Sequence, residues 1–170
     1  RETPREFCEL MSRAARYLEK KGGLLRSGAA PGADTAFEQG VENPRNMQIF
    51  VPWNGFNGTS HRSIPFNDVA IDVARAHHPR YDALSDPVKK LMNRNTWQVV
   101  DVDGLTPADF ILCWTEGGTG KGGTGQALRI AKTYNIPVFD MGRYPTAAEA
   151  RRPLYEFLKG IEKIGVLPVL

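Results

Sequence analysis

Residues 117–125 hold six glycines, in the run Glu116-Gly117-Gly118-Thr119-Gly120-Lys121-Gly122-Gly123-Thr124-Gly125. Glycines let a backbone come close to a ligand, and the free N–H groups at the start of a following helix favour an anion, commonly a phosphate. Thr119, Lys121 and Thr124 add side-chain donors to that loop. The order matches neither the phosphate-binding loop that ends in Gly-Lys-Ser/Thr nor the GxGxxG turn of dinucleotide folds. The chemistry suggested is anion binding by backbone; the competing reading is a plain surface loop.

A second turn of small residues, Ser27-Gly28-Ala29-Ala30-Pro31-Gly32-Ala33-Asp34, repeats the logic of strand, tight turn and helix. Two such turns at the carboxyl ends of parallel strands form one crevice of nucleotide size. Asp34 suits either a ribose hydroxyl or the positive end of the helix it opens. Ser27 has no neighbouring histidine, so a serine nucleophile is not expected.

Other reactive residue types are sparse. The three histidines are His61 and the adjacent His77-His78, which precede Pro79 and suit a helix terminus better than a metal. Cys8 and Cys113 are far apart and form no CxxC pair. No metal site and no cofactor is expected, and the cytoplasm is the expected compartment.

Helices and strands must position these turns. Phe7, Leu10, Ala14, Tyr17 and Leu18 share one face of a helix predicted over residues 6–21, stopped by Gly22-Gly23. Further helices are predicted at about 33–40, 66–77, 86–100, 126–134 and 146–163. The one at residue 86 is opened by Asp86-Pro87. Strands are predicted at Leu24-Leu25, 48–52, 108–114 and 136–140. This alternation implies a parallel sheet covered on both faces. Between residues 53 and 65 the glycines, asparagines and Pro65 spell a long loop, which makes Trp53, Phe56 and His61 candidates for a cover over the crevice.

With 170 residues, 41% hydrophobic and 24% charged, the chain suits one globular domain over residues 1–170. No apolar run approaches the roughly 20 residues of a membrane helix, so no membrane partner is expected. The net charge of +3 is spread over both ends of the chain, with an acidic middle and no block of like charge. Nucleic-acid binding is therefore a minority reading, with Trp53, Phe56 and Trp114 as the aromatic residues it would use.

The segment RSGAAPGADTAFEQG resembles the SGxAxGxDxxxxxG signature of the SLOG superfamily, which joins the DNA-processing protein A family with the Lonely-Guy phosphoribohydrolases. Asn93-Arg94-Asn95-Thr96 resembles its Arg-Asn element, and ADFILCWTEGGTGKGGTGQALRIAKTYNIPVF its closing strand, glycine loop, helix and strand. These matches run in order from about Leu24 to Phe139. The resemblance implies a Rossmann-like three-layer α/β domain, a nucleotide-derived ligand over the glycine turns, and a homo-oligomer. It also implies a first strand ending in Gly-Ser-Arg. Arg1-Glu2-Thr3 would continue that turn, leaving the strand outside the sequence and Arg1 at the pocket edge; an unstructured terminus is the other reading.

The ligand set implied is Arg1, Ser27, Gly28, Ala29, Gly32, Asp34, Arg94, Asn95, Trp114, Gly118, Thr119, Lys121, Gly122, Gly123, Thr124, Gly125, Gln126 and Arg129. For Arg94, phosphate contact competes with a surface salt bridge. Lonely-Guy enzymes resemble PGGxGTxxE, whose closing Glu takes part in cleaving the N-glycosidic bond. Here that position is Arg129, which cannot accept a proton or stabilise a developing positive charge but suits a phosphate. Glu116 is the weak catalytic candidate; Asp109 is the other carboxylate that could serve, against a structural role at its strand entrance. The expectation is a module that binds and retains a nucleotide or nucleotide-derived molecule, as a sensor or sequestering protein. The alternatives are a nucleotide N-glycosidase and a single-stranded-DNA-handling protein.

Overall fold

A computed structural model describes residues 3–163 of the chain. The expectations for Arg1 and for the strand ahead of it lie outside these residues. Helix α1 (Arg5–Lys20) buries Phe7, Met11, Ala14 and Ala15, a stripe at helical spacing, and ends at Lys21 before Gly22-Gly23. Strand β1 (Leu25–Ser27) and helix α2 (Ala33–Gly40) follow, and then strand β2 (Met47–Ile49). A largely irregular stretch leads to α3 (Asp68–His77), capped by the Asn67 side chain on the Ala70 N–H. Helix α4 (Asp86–Val100) has Pro87 in its first turn. Strand β3 (Ile111–Cys113), helix α5 (Gly123–Thr133), strand β4 (Val138–Asp140) and helix α6 (Ala147–Lys163) complete the described chain.

The protein is α/β and its strand pairs are parallel, but the described strands do not form one sheet. β1 pairs only with β2 and β3 only with β4. The apolar run at 108–114, predicted as one strand, contributes only three residues to a ladder. The two pairs nevertheless share their covering layers. One core unites Phe7 and Met11 of α1, Phe37 of α2, Phe139 of β4 and Leu154 and Leu158 of α6, with Leu25 and Leu112 packed against it. The buried Arg26 guanidinium reaches from β1 to Asp101, at 3.0 Å, and to the Thr106 carbonyl on the approach to β3. The sheets thus stand side by side, separated by a cleft that no described strand fills. Among the described residues, no helix is long and apolar enough to cross a membrane.

Candidate functional site

A cavity of about 770 Å³ runs between β1 and β3, lined from the residues that lead into both strands to those just past their ends. Ser27, Asp34, Trp53, Phe56, Arg94, Asn95, Trp114, Gly123 and Thr124 all line it. The first turn, the Arg-Asn element and the start of α5 therefore meet in one place.

Helix α4 makes that meeting possible. Arg94 Nη1 donates to the Gly28 carbonyl at 2.5 Å, and the next residue, Asn95, donates through Nδ2 to the Gly123 carbonyl at 3.2 Å. Consecutive residues of one helix tie down the two small-residue turns. A Cβ on Gly28 would overlap Arg94 Nη1, so glycine at 28 is required by the arginine rather than by its own backbone angles.

Arg94 is only 6% exposed. Its nearest acidic oxygen, Asp34 Oδ2, is 4.0 Å away, its Nε–H has no acceptor among the described residues, and the Phe56 ring lies 5.6 Å from the guanidinium carbon. Burial lowers the pKa of this guanidinium, while Asp34 and Glu38 act to raise it. A buried cation with a loose counter-charge and an unmet donor favours an anion close by.

The first turn is held from behind by carboxylates. Asp34 Oδ2 accepts the Gly28 and Ala30 N–H groups, both at 3.2 Å. Glu38 Oε1 accepts the Ser27 hydroxyl at 2.5 Å and the Ala29 N–H at 3.0 Å. Ala29 needs this support because its φ is +55°, a left-handed conformation that alanine adopts at a cost. Asn57 adds a donor to the Ala29 carbonyl. Burial pushes the Glu38 carboxyl up from its ordinary range, against the lowering effect of the Ser27 and Ala29 bonds.

The glycine loop has its own anchor. Buried Asp140, at the end of β4, accepts from the Thr115 N–H, the Thr115 hydroxyl and the Gly142 N–H. Thr115 Oγ1 in turn accepts the Gly120 N–H at 2.9 Å. Helix α5 then starts at Gly123, three residues earlier than predicted, with Gly122 at its cap and no side chain on its first N–H groups. Its positive end faces the cleft through Gly123 and Thr124.

Helical phase separates the remaining predicted residues. Gly123, Thr124 and Ala127 face the cleft, whereas Gln126 and Arg129 are turned to α3. Gln126 is buried and donates to the Ala74 carbonyl. Arg129 donates to the His77 carbonyl at 2.6 Å and to Gln126 Oε1 at 2.7 Å, so its guanidinium closes the carboxyl end of α3. Gly32 caps α2 at φ +94°. Gly118 packs against Arg143, and Gly125 against the Gly120 carbonyl. Thr119 donates to the Glu116 carbonyl, and Glu116, Lys121 and Gly122 are exposed and are not part of the cavity lining. Of the three cover candidates, Trp53 and Phe56 line the cavity edge to face, 5.1 Å between centroids, while His61 is exposed and outside the lining.

Sequence reasoning missed Glu38, Asn57 and the Thr115–Asp140 pair, all of which hold backbone. Glu38 carried a signal, since it lies one helical turn beyond Asp34, on the same face of α2. Among the described residues, no three His, Cys, Asp or Glu side chains stand together as a metal site would require. No family model, no curated protein and no solved structure matches this chain.

Proposed function

We propose that this chain is a SLOG-like, Rossmann-type three-layer domain that binds a nucleotide or nucleotide-derived molecule at the mouth of the cleft. The observation that carries the reading is the convergence of buried Arg94, with its unmet Nε–H, and the uncapped start of α5 on one cavity walled by aromatic side chains. A phosphate sits at the amino end of α5, within the field of Arg94. The base lies against Trp53 or Trp114, and the Asp34 oxygen not used by the turn accepts from a sugar hydroxyl. Arg129 has no part in this arrangement, because it lies outside the cavity lining, with Nε–H held by the His77 carbonyl and Nη2 by Gln126 Oε1. The role is retention rather than cleavage: Glu116 lies outside the cavity lining, and of the carboxylates in it Asp34 already holds two backbone N–H groups while Asp109 stands at the entrance of β3.

The test incubates the purified protein with nucleoside mono-, di- and triphosphates, NAD, ADP-ribose and cyclic nucleotides, then identifies bound and free species by mass spectrometry. One unchanged compound is retained, and Arg94→Lys weakens its binding at least tenfold while Arg129→Ala leaves it unchanged. Free base with sugar phosphate in the filtrate would replace binding by N-glycoside hydrolysis. Retention of none of the panel would reject the nucleotide reading.

A further inference from the structure

Arg94 lines the cavity, yet it is 6% exposed, so even water scarcely reaches its guanidinium. A phosphate is wider than a water molecule. Direct contact with the unmet Nε–H therefore requires a neighbour of Arg94 to move. The Gly28 carbonyl is fixed, because the N–H groups of residues 28, 29 and 30 are all held by Asp34 and Glu38. Asp34 is fixed by the same bonds. Phe56 meets Arg94 only through its ring, and it packs with Ala29 and Val51 in a small cluster separate from the main core.

Phe56 rides on a loop that closes on itself. Asn54 Oδ1 accepts the Ser63 N–H at 2.9 Å and the Ser63 hydroxyl at 3.2 Å, which ties the two ends together. Inside, the N–H groups of Phe56, Gly58 and Thr59 donate to the carbonyls of Trp53, Gly55 and Phe56. Gly55, Asn57 and Gly58 are left-handed, with φ of +75°, +50° and +73°. This tight coil brings the Phe56 ring and the Asn57 amide to the cavity, while a Cβ at either glycine would meet nothing within 4 Å. Among the described residues, the one hydrogen bond that leaves residues 53–63 runs from Asn57 Nδ2 to the Ala29 carbonyl, at 3.0 Å. Pro52 and Pro65 bracket the loop and offer no N–H to the structure around it. Joined ends and few outside ties let such a loop move as one body.

We propose that residues 53–63 are a gate that swings as one piece over Arg94, with the Asn57–Ala29 bond as its latch, and that the structure holds this gate shut. In the open state Phe56 leaves the guanidinium face and the Nε–H meets solvent, so an anion enters. On reclosure the ring returns to the face while the anion keeps the donors at the edge, because a guanidinium takes aromatic rings on its face and oxygens in its plane. The bound anion is then shielded from water. Entry and release both wait on the gate, so a ligand binds slowly and leaves slowly. What passes the gate rests on the nucleotide reading; the gate itself is tested with no nucleotide present.

Phenylglyoxal condenses with guanidinium groups that it can reach, and peptide mapping by mass spectrometry reads each arginine separately. Arg94 is followed against Arg26, a second buried arginine, whose partners Gln48 and Asp101 lie outside the loop. In the native chain both react slowly. Asn57→Gly keeps the left-handed backbone and removes the latch. It speeds modification of Arg94 roughly fivefold, the worth of one hydrogen bond, and leaves Arg26 and the amide exchange of Thr59 and Ser63 unchanged. A rate at Arg94 that Asn57→Gly does not alter, or that matches exposed Arg45 in the native chain, would overturn the gate. So would a rise shared by Arg26, which is opening of the whole chain, or faster exchange at Ser63, which is unravelling of the loop. These rates stand whether or not the nucleotide panel leaves a compound bound. Where a nucleotide is retained, Asn57→Gly speeds its binding and its release together; retention with both rates unchanged removes the gate and leaves the site.

Discussion

Arg94 Nη1 and the Gly28 carbonyl form the shortest link between α4 and the first turn, at 2.5 Å, and the arginine occupies the space a side chain at 28 would need. Gly28→Ala is therefore expected to destabilise the fold by about 1–3 kcal/mol through overpacking. In an Arg94→Ala background most of that penalty disappears, because the clashing atoms are gone. A double-mutant cycle by urea unfolding measures the coupling; additive losses would show that the two residues do not compete for one space.

Glu38 makes a pH-dependent prediction. Its folded pKa is raised above the ordinary 4.5 because burial disfavours the charged form. A raised carboxyl contributes stability that is full below the unfolded pKa and is lost as pH rises through the folded one. Relative to Glu38→Gln, which keeps an acceptor for Ser27 and Ala29 without the titration, the native chain should gain stability as pH falls from 7 towards 4.5. Denaturant midpoints of both proteins at three pH values within that window check the slope. An equal change in both would remove Glu38 as its source.

How far the sequence reaches is seen in α5. Its place between a buried strand and another strand is legible from composition and spacing, and so are Gly123 and Thr124, which line the cavity. The rotational phase of the helix is not. Glycine-rich residues 120–125 hide the true start, and beginning three residues early turns Gln126 and Arg129 toward Ala74 and His77. The helix α1 stripe, with Phe7 and Ala14 buried, and the Asp86-Pro87 start of α4 were readable because periodicity and capping are local signals. Sheet order is a long-range property, so an apolar run such as Phe110–Trp114 signals a strand without saying which neighbours it has or lacks. The backbone anchors Asn57 and Asp140 were illegible for the same reason, since their partners lie 28 and 25 residues away in sequence.

Thr115 links Asp140 to the Gly120 N–H, and Thr115→Val removes the hydroxyl from both. The buried carboxylate loses a donor and the loop amide loses its acceptor, a combined loss of about 2–4 kcal/mol. Amide exchange across residues 116–122 should accelerate more than across α1. Uniform acceleration would mean that the threonine stabilises the whole fold and not the loop.

The two thiols should differ in reactivity. Burial and the nearby Asp140 push Cys113 up to about 12, so it stays protonated at pH 8. Cys8 is raised less, by a partial burial, and is half exposed. An aromatic disulfide reagent at pH 8 is expected to label Cys8 and to reach Cys113 only after denaturant is added. Labelling of Cys113 in the native protein would show that the cleft admits the reagent to the strand itself.

The bonds from Arg94 and Asn95 end on main-chain carbonyls, those of Gly28 and Gly123. A carbonyl is present whatever the neighbouring side chains are, so α4, together with Asp34 and Glu38 behind the first turn and the Thr115–Asp140 pair behind the second, holds the geometry of the two turns independently of the side chains at the rim. Positions 30, 31, 53 and 124 can change their chemistry while the frame that presents them stays as it is. A scaffold of this kind can acquire a new selectivity by drift at the rim, with no prior loss of foldedness to repair.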